Sequence, residues 1–498
     1  MTDSTTARTP RPADDDVPGP GIGSTGGARA AGGGRDGASG SGGAHRRRDS
    51  RTTRTGRAGR AGREDRDRQE RRERRLRLAS SLLAPAALWI VTRAVLLLCV
   101  FKVVTLPGPD FTNDVEAIYQ GWFGVLKEGT FPQDDVTWQY PPAAALAVLS
   151  PALLPFLDYP SAFYLLACAA DAVVFALLTR YSARPGMRRA GLWGWVAGVA
   201  LLGPTAYARY DLMVTAVAVA ALLAAARHPR TAGALAAFGA MLKVWPGLLL
   251  LGTPRDRAFR SAWTSAAITG ALVLGVFAVS MPGAFAFLGF QQSRGTEVES
   301  LGALVFHVAR QFGWEGQVLL NYGSMEFIGP YVNLVSDAAL VLTGAAFAWL
   351  LLWRLCAVEW APSTPADAAL TAVLLFTTTS RVISPQYMIW LVGLAAVCLT
   401  LRTTCQALPS VLVLVATGVT LLEFPLGFGH VVESDWEGVA LLVVRNGLLV
   451  AASLLACLRL WRTTRAGTAR GTRAAAGEET KAADVTTVRP ARTNATAR

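Results

Sequence analysis

The feature that most constrains this chain is a series of long apolar runs separated by short polar intervals. They fall at residues 80–105, 143–157, 160–180, 190–207, 211–226, 232–252, 262–280, 332–353, 366–380, 386–401, 408–422 and 438–460. Most approach the roughly 20 residues that a helix needs to cross the hydrocarbon layer. Within 498 residues, 52% are hydrophobic, too many in too long a chain for one soluble core. The pattern predicts an all-α integral membrane protein, a multi-span helical bundle.

Charge divides the chain. The formal net charge is +13, and most of the excess lies before Ala79 and after Trp461. Residues 1–78 are rich in Gly, Ser, Arg and Asp and have almost no large apolar side chain, so they bury too little to fold alone. This predicts a disordered basic segment at 1–78, a membrane domain at 79–461 and a disordered basic tail at 462–498. Arg60 to Arg77 has helical spacing suited to lying on a membrane surface. The first apolar run is too long and too far from the start for a cleavable signal peptide. Such arginine density in a soluble chain would suggest nucleic acid. Beside membrane spans it marks the cytoplasmic face and contact with anionic lipid, so membrane lipids, not nucleic acid, are the expected partners.

The same rule orients the spans. The arginine-rich intervals 180–189, 227–230 and 255–260, with Arg354, Arg402 and Arg459 onward, should all be cytoplasmic. They can be, provided that 143–157 enters and leaves on the outer side and that 232–252 is broken near Lys243-Val244-Trp245-Pro246. About ten full crossings then remain, with both termini cytoplasmic. Five intervals share the outer face: 106–141, 203–211, 281–331, 380–386 and 423–437. They hold most of the acidic residues outside the tails. Cys99, Cys168, Cys356, Cys398, Cys405 and Cys457 stand alone, and the histidines do not cluster. No metal-ligand set is expected, and no cofactor.

Five short motifs lie at or near that outer face. Asn113-Asp114 opens an interval rich in carboxylates and aromatics. A carboxylate at a helix start is also an ordinary stabilising feature. Trp138-Gln139-Tyr140-Pro141-Pro142 closes the interval; Trp138 and Tyr140 are suited to stacking on sugar or to anchoring at the interface. Arg209-Tyr210-Asp211 opens a span, as a stop charge or as a phosphate ligand oriented by Asp211. Ser293-Arg294-Gly295, with Glu297 and Glu299 following, reads equally well as a solvated loop. Ser380-Arg381-Val382-Ile383-Ser384-Pro385-Gln386-Tyr387 puts an arginine on the outer side, where a charge needs a partner. Lys243, in the broken run, has the same need.

Taken in order, N-D…Y, W-Q-Y-P-P, R-Y-D-L, L-K-V-W-P, Q-Q-S-R-G-T-E-V-E-S-L and S-R-V-I-S-P-Q-Y-M-I-W-L resemble the polyprenol-phosphate-sugar glycosyltransferases of family 87, over residues 85 to 455. These belong to the GT-C class of multi-span transferases and include actinobacterial α-mannosyltransferases and arabinofuranosyltransferases. The resemblance implies an extracytoplasmic site in the cell membrane, a polyprenyl-phosphate sugar donor, a lipid or cell-envelope glycan acceptor and inversion at the anomeric carbon. It makes Asp114 the general base, with Asp134 and Asp135 as nearby competitors. Arg209, Asp211, Lys243, Arg294, Glu299, Arg381, Gln386, Tyr140 and Trp138 become candidates for binding substrate. Mannose is the expected sugar and arabinofuranose the alternative. The competing classes are a transporter or flippase, which should carry paired ionisable residues within its spans, and a polymer-assembly scaffold.

Overall fold

The computed structural model describes residue 69, residues 82–292 and residues 294–465. Apart from residue 69, the expectations for the N-terminal segment lie outside the described residues, as do those for the tail beyond 465. Helix α1 (Leu82–Val100) leads into the first polar interval. That interval contains a π-helical turn (Asp114–Tyr119) continued by α2 (Gln120–Lys127). The short α3 (Ala144–Leu149), α4 (Tyr159–Ser182), α5 (Ala190–Leu202), α6 (Asp211–Ala225), α7 (Pro229–Leu242) and α8 (Arg257–Ser280) follow. Residues 281–331 hold α9 (Phe287–Gln292), β1 (Thr296–Glu297), α10 (Ala303–Arg310), β2 (Gln317–Asn321) and β3 (Ser324–Ile328). The chain then runs through α11 (Val332–Cys356), α12 (Thr364–Thr379), α13 (Tyr387–Thr400), α14 (Ala407–Leu421), α15 (Phe428–Glu433) and α16 (Trp436–Thr464).

Among the described residues, six helices are long and apolar enough to cross a membrane: α1, α4, α8, α11, α14 with its continuation to Leu426, and α16. The other apolar runs form shorter helices. The 13 residues of α5 and the 14 of α13 fall well short of the ~30 Å hydrocarbon layer at about 1.5 Å per residue. They form the middle of the bundle, and α13 is buried along almost its whole length. Six crossings thus stand on helix length; the remainder of the expected ten or so rests on these shorter helices. Small residues let the inner helices approach closely, as glycines do between membrane helices. A Cβ at Gly191 of α5 would lie 2.0 Å from the Ala396 carbonyl of α13.

The chain breaks at Lys243, whose backbone is extended between α7 and the 3-10 segment Trp245–Gly252. Pro246 lacks the amide that a continuing helix would need. The expectation of a purely helical fold is corrected in residues 281–331. Here a three-stranded antiparallel sheet forms in the order β1-β3-β2. Tyr322 and Gly323, both at positive φ, make the turn between β2 and β3, the backbone a tight hairpin requires. The reading of this stretch as a solvated loop fails with it: Glu297, Glu299, Ser300 and Glu326 are all buried.

Two intramembrane ion pairs, absent from the sequence reading, pin helices together. Asp171 of α4 accepts from Arg93 Nε and Trp195 Nε1, each at 2.7 Å, and from the Tyr207 hydroxyl at 2.7 Å. This joins α1, α4, α5 and the stretch leading to Arg209. Glu423 pairs with Arg445 of α16 at 2.8 Å, both side chains fully buried. Arg445 Nη2 also donates to the Glu299 carbonyl at 2.7 Å. Paired intramembrane charge is what a transporter would show. Asp171, however, is surrounded by donors and borders no part of the cavity described next, so this pair is a structural pin.

Candidate active site

A cavity of about 610 Å³ lies where the first polar interval, the broken stretch at Lys243, the β-hairpin and the 380–387 loop converge. Asp114, Tyr140, Arg209, Lys243, Arg294, Glu299, Arg381 and Gln386 all line it, although they are spread over more than half the chain. Two of the residues singled out from sequence do not. Trp138 is fully buried against Trp122, Phe131 and Tyr140 and belongs to the core. Asp211 sits behind the wall, bound to Lys243 Nζ at 2.7 Å and to the Trp390 indole.

Asp114 stands at the first residue of the π-helical turn, and its carboxylate meets Arg209 Nε at 2.9 Å. Arg209 also donates through Nη1 to the Phe111 carbonyl at 2.9 Å and to the Ala208 carbonyl at 2.7 Å. The guanidinium therefore orients Asp114 and ties the first interval to the start of α6. Arg209 also lines the cavity. Burial pushes the Asp114 carboxyl above its ordinary range, the Arg209 charge opposes the shift, and Asp211 adds to it. The side chain stays 28% exposed, open toward the cavity. The competitors lie elsewhere. Asp134 is exposed outside the cavity, and Asp135 is held in its own turn by Thr137 and by Trp122 Nε1 at 2.8 Å.

Lys243 is committed in a similar way. Besides its bond to Asp211, its ammonium faces the rings of Tyr210 at 5.0 Å, Trp390 at 5.1 Å, Tyr140 at 5.2 Å and Tyr387 at 5.7 Å. Such ring faces stabilise a desolvated cation. Trp245 and Tyr387 each stack on Trp390, with centroids 5.4 and 4.0 Å away. Trp245, Tyr387 and Trp390 stand within the sequence motifs, but nothing local marks their rings as one wall. The apolar spacing of Tyr387 and Trp390 looks like any span.

Arg294 and Arg381 also line the cavity, and Arg381 lies close enough to Arg294 to feel its charge. Arg294 Nη2 donates to Ser324 Oγ at 2.7 Å, and its Nε lies 3.5 Å from the Glu326 carboxylate. Arg381 Nη1 donates to Ser336 Oγ at 3.3 Å. Glu299 lines the cavity behind them. Burial holds its carboxyl well above the usual range, and the charges of Glu423 and Glu297 push it further. The cavity thus brings together a carboxylate able to take a proton and a pair of guanidiniums suited to an oxyanion. His307 is no part of this: it is fully buried, and its Nε2 lies 2.7 Å from the Val298 carbonyl and its Nδ1 2.7 Å from Ser434 Oγ.

Residues 138–385 match the profile of glycosyltransferase family 87. The match supports a glycosyltransferase, and the apolar helices support a membrane protein. It covers the cavity-lining stretches from Gln139 to Pro385 and stops short of Asp114 on one side and Gln386 on the other. No curated protein and no solved structure matches the chain.

Proposed function

We propose that this glycosyltransferase moves mannose from a polyprenyl-phosphate donor to a lipid-linked or cell-envelope glycan acceptor. The reaction takes place on the extracytoplasmic face, with inversion. The observation that carries the reading is the cavity itself, whose lining includes both Asp114 and the guanidiniums of Arg294 and Arg381. In this reading Asp114 accepts the proton of the attacking hydroxyl. Arg209 holds the carboxylate in the direction of attack. The C–O bond between the anomeric carbon and the donor phosphate breaks, and the bonding pair leaves with the polyprenyl phosphate. Arg294 and Arg381 stabilise the charge that develops there. Phe376, Phe424 and Phe428 in the cavity lining offer an apolar path for the prenyl chain. Mannose is the first choice and arabinofuranose the alternative, both being sugars of the family that the motifs resemble; the acidic character of the cavity-side loops favours the outer face.

The test is transfer by membranes carrying the full chain, supplied with radiolabelled polyprenyl-phosphate mannose and, in parallel, the arabinofuranosyl donor. Label passing from the mannose donor into an inverted glycosidic product is the expected result. Transfer from the arabinofuranosyl donor alone would keep the chemistry and replace the sugar. Transport of a lipid-linked sugar across the bilayer without glycosidic product would overturn the reading.

A further inference from the structure

The sheet at the cavity wall contains an arrangement that fold stability does not explain. Glu297 of β1 and Glu326 of β3 are direct cross-strand partners. Both are buried, at 2% and 0% exposure. Like charges placed opposite each other on paired strands destabilise a sheet, and burial makes them costlier still. Each carboxylate, however, is fully engaged with a segment that carries an arginine.

Glu326 accepts from the Gly295 amide at 3.2 Å and from Asn321 Nδ2 at 3.1 Å, and it faces Arg294 Nε. Ser324, two residues before it on the same strand, takes the Arg294 Nη2 bond. A Cβ at Gly295 would lie 2.9 Å from Glu326 Oε2, so a larger residue there would have to displace that carboxylate. Glu297 reaches the other arginine segment. Its carboxylate accepts from the Ile383 amide at 2.6 Å and from Ser384 Oγ at 2.8 Å. Its own amide donates to the Arg381 carbonyl at 3.0 Å. The strand pair therefore joins the 294–295 turn to the 380–384 loop. It sets the spacing between two guanidiniums that would otherwise repel each other apart.

From this geometry we infer that Glu297, Glu326 and Ser324 are positioning residues for a two-arginine phosphate clamp, and that the small sheet is its frame. The inference rests on the reading of the cavity as a prenyl-phosphate site. The hairpin turn also reaches the first interval, where Gln139 Nε2 donates to the Tyr322 carbonyl at 3.1 Å. The clamp and the side bearing Asp114 are thereby held at a fixed separation.

Charge-conserving variants isolate position from field. Glu326→Asp and Glu297→Asp keep the charge but shorten the reach, and Ser324→Ala removes one bond to Arg294 without changing any charge. The probe is farnesyl phosphate, with farnesol as its phosphate-free control. Binding to the purified full chain in detergent is followed by the fluorescence of the cavity tryptophans. The wild-type protein should prefer farnesyl phosphate to farnesol. Each variant should reduce farnesyl phosphate affinity about tenfold, the worth of a bond to a charged group, with farnesol affinity unchanged. Should an aspartate variant fail to fold, Ser324→Ala gives the same reading. Unchanged phosphate preference in the variants, or equal loss for both ligands, overturns the inference. A wild-type protein that does not distinguish the two ligands overturns the reading of the cavity and the inference with it.

Discussion

Asp114 must be ionised to accept a proton, so its environment sets where activity begins on the pH axis. Burial lifts its carboxyl and Arg209 limits the lift. A raised carboxyl loses its proton only at higher pH, so kcat/KM should fall as pH drops through the raised value and level off above it. The acid limb is therefore expected above about 4, the ordinary aspartate position, and Arg209→Gln should move it higher still. A limb at or below that position contradicts the role given to Asp114. Arg381 has a separate signature. Arg381→Ala should raise the donor KM roughly 10–100-fold, the loss of a charge-assisted contact, with the acceptor KM nearly unchanged. Equal changes in both would remove Arg381 from the phosphate side.

At the level of elements, α16 is tied to the cavity wall by Arg445 and, through Asn446 Nδ2 to the Glu299 carbonyl at 3.3 Å, by its neighbour. Arg445 neutralises Glu423 and holds the Glu299 carbonyl. Replacing it with alanine leaves a buried carboxylate unpaired, at a cost of about 3–5 kcal/mol. The melting temperature in detergent should fall sharply, with Arg445→Lys intermediate; an unchanged melt would show that the pair is dispensable. These elements also show how far the sequence could be read. The segments around Asp114, Lys243, Arg294 and Arg381 were legible because charge at a membrane face stands out from the apolar runs around it. The partners were not. Asp114 and Arg209 are 95 positions apart, and nothing local says that Arg209 will turn to that carboxylate. The sheet was missed because β1 is only two residues long. The burial of Glu297 and Glu326 depends on partners outside their own strands: the Ile383 amide and Ser384 hydroxyl for Glu297, and the Gly295 amide, Asn321 and Arg294 for Glu326. Arg93 and Asp171 were hidden inside runs whose mean hydropathy they barely dent.

For the whole molecule, the contacts gather the acidic intervals at one end. A Cβ at Gly283 would strike Gln133, and Gly323 lies against Thr137. At the other end the Arg188 amide bonds to the Thr400 carbonyl, and the Val358 amide to that of Thr464. Reporters at Gln133 and Gly323 should therefore share one face, expected to be external. Reporters at Gly186 and after Arg465 should share the cytoplasmic face. A cytoplasmic signal at Gln133 would invert the orientation. The central claim is that this bundle holds a base and a phosphate clamp within one cavity, and Asp114→Asn tests it most directly. Asparagine keeps the size and the helix-start preference of aspartate but cannot take a proton. Proteoliposomes supplied with labelled polyprenyl-phosphate mannose should show turnover reduced roughly 10²–10⁴-fold, the usual contribution of a general base, with donor KM little changed. Near-normal turnover by the Asp114→Asn protein would contradict the account.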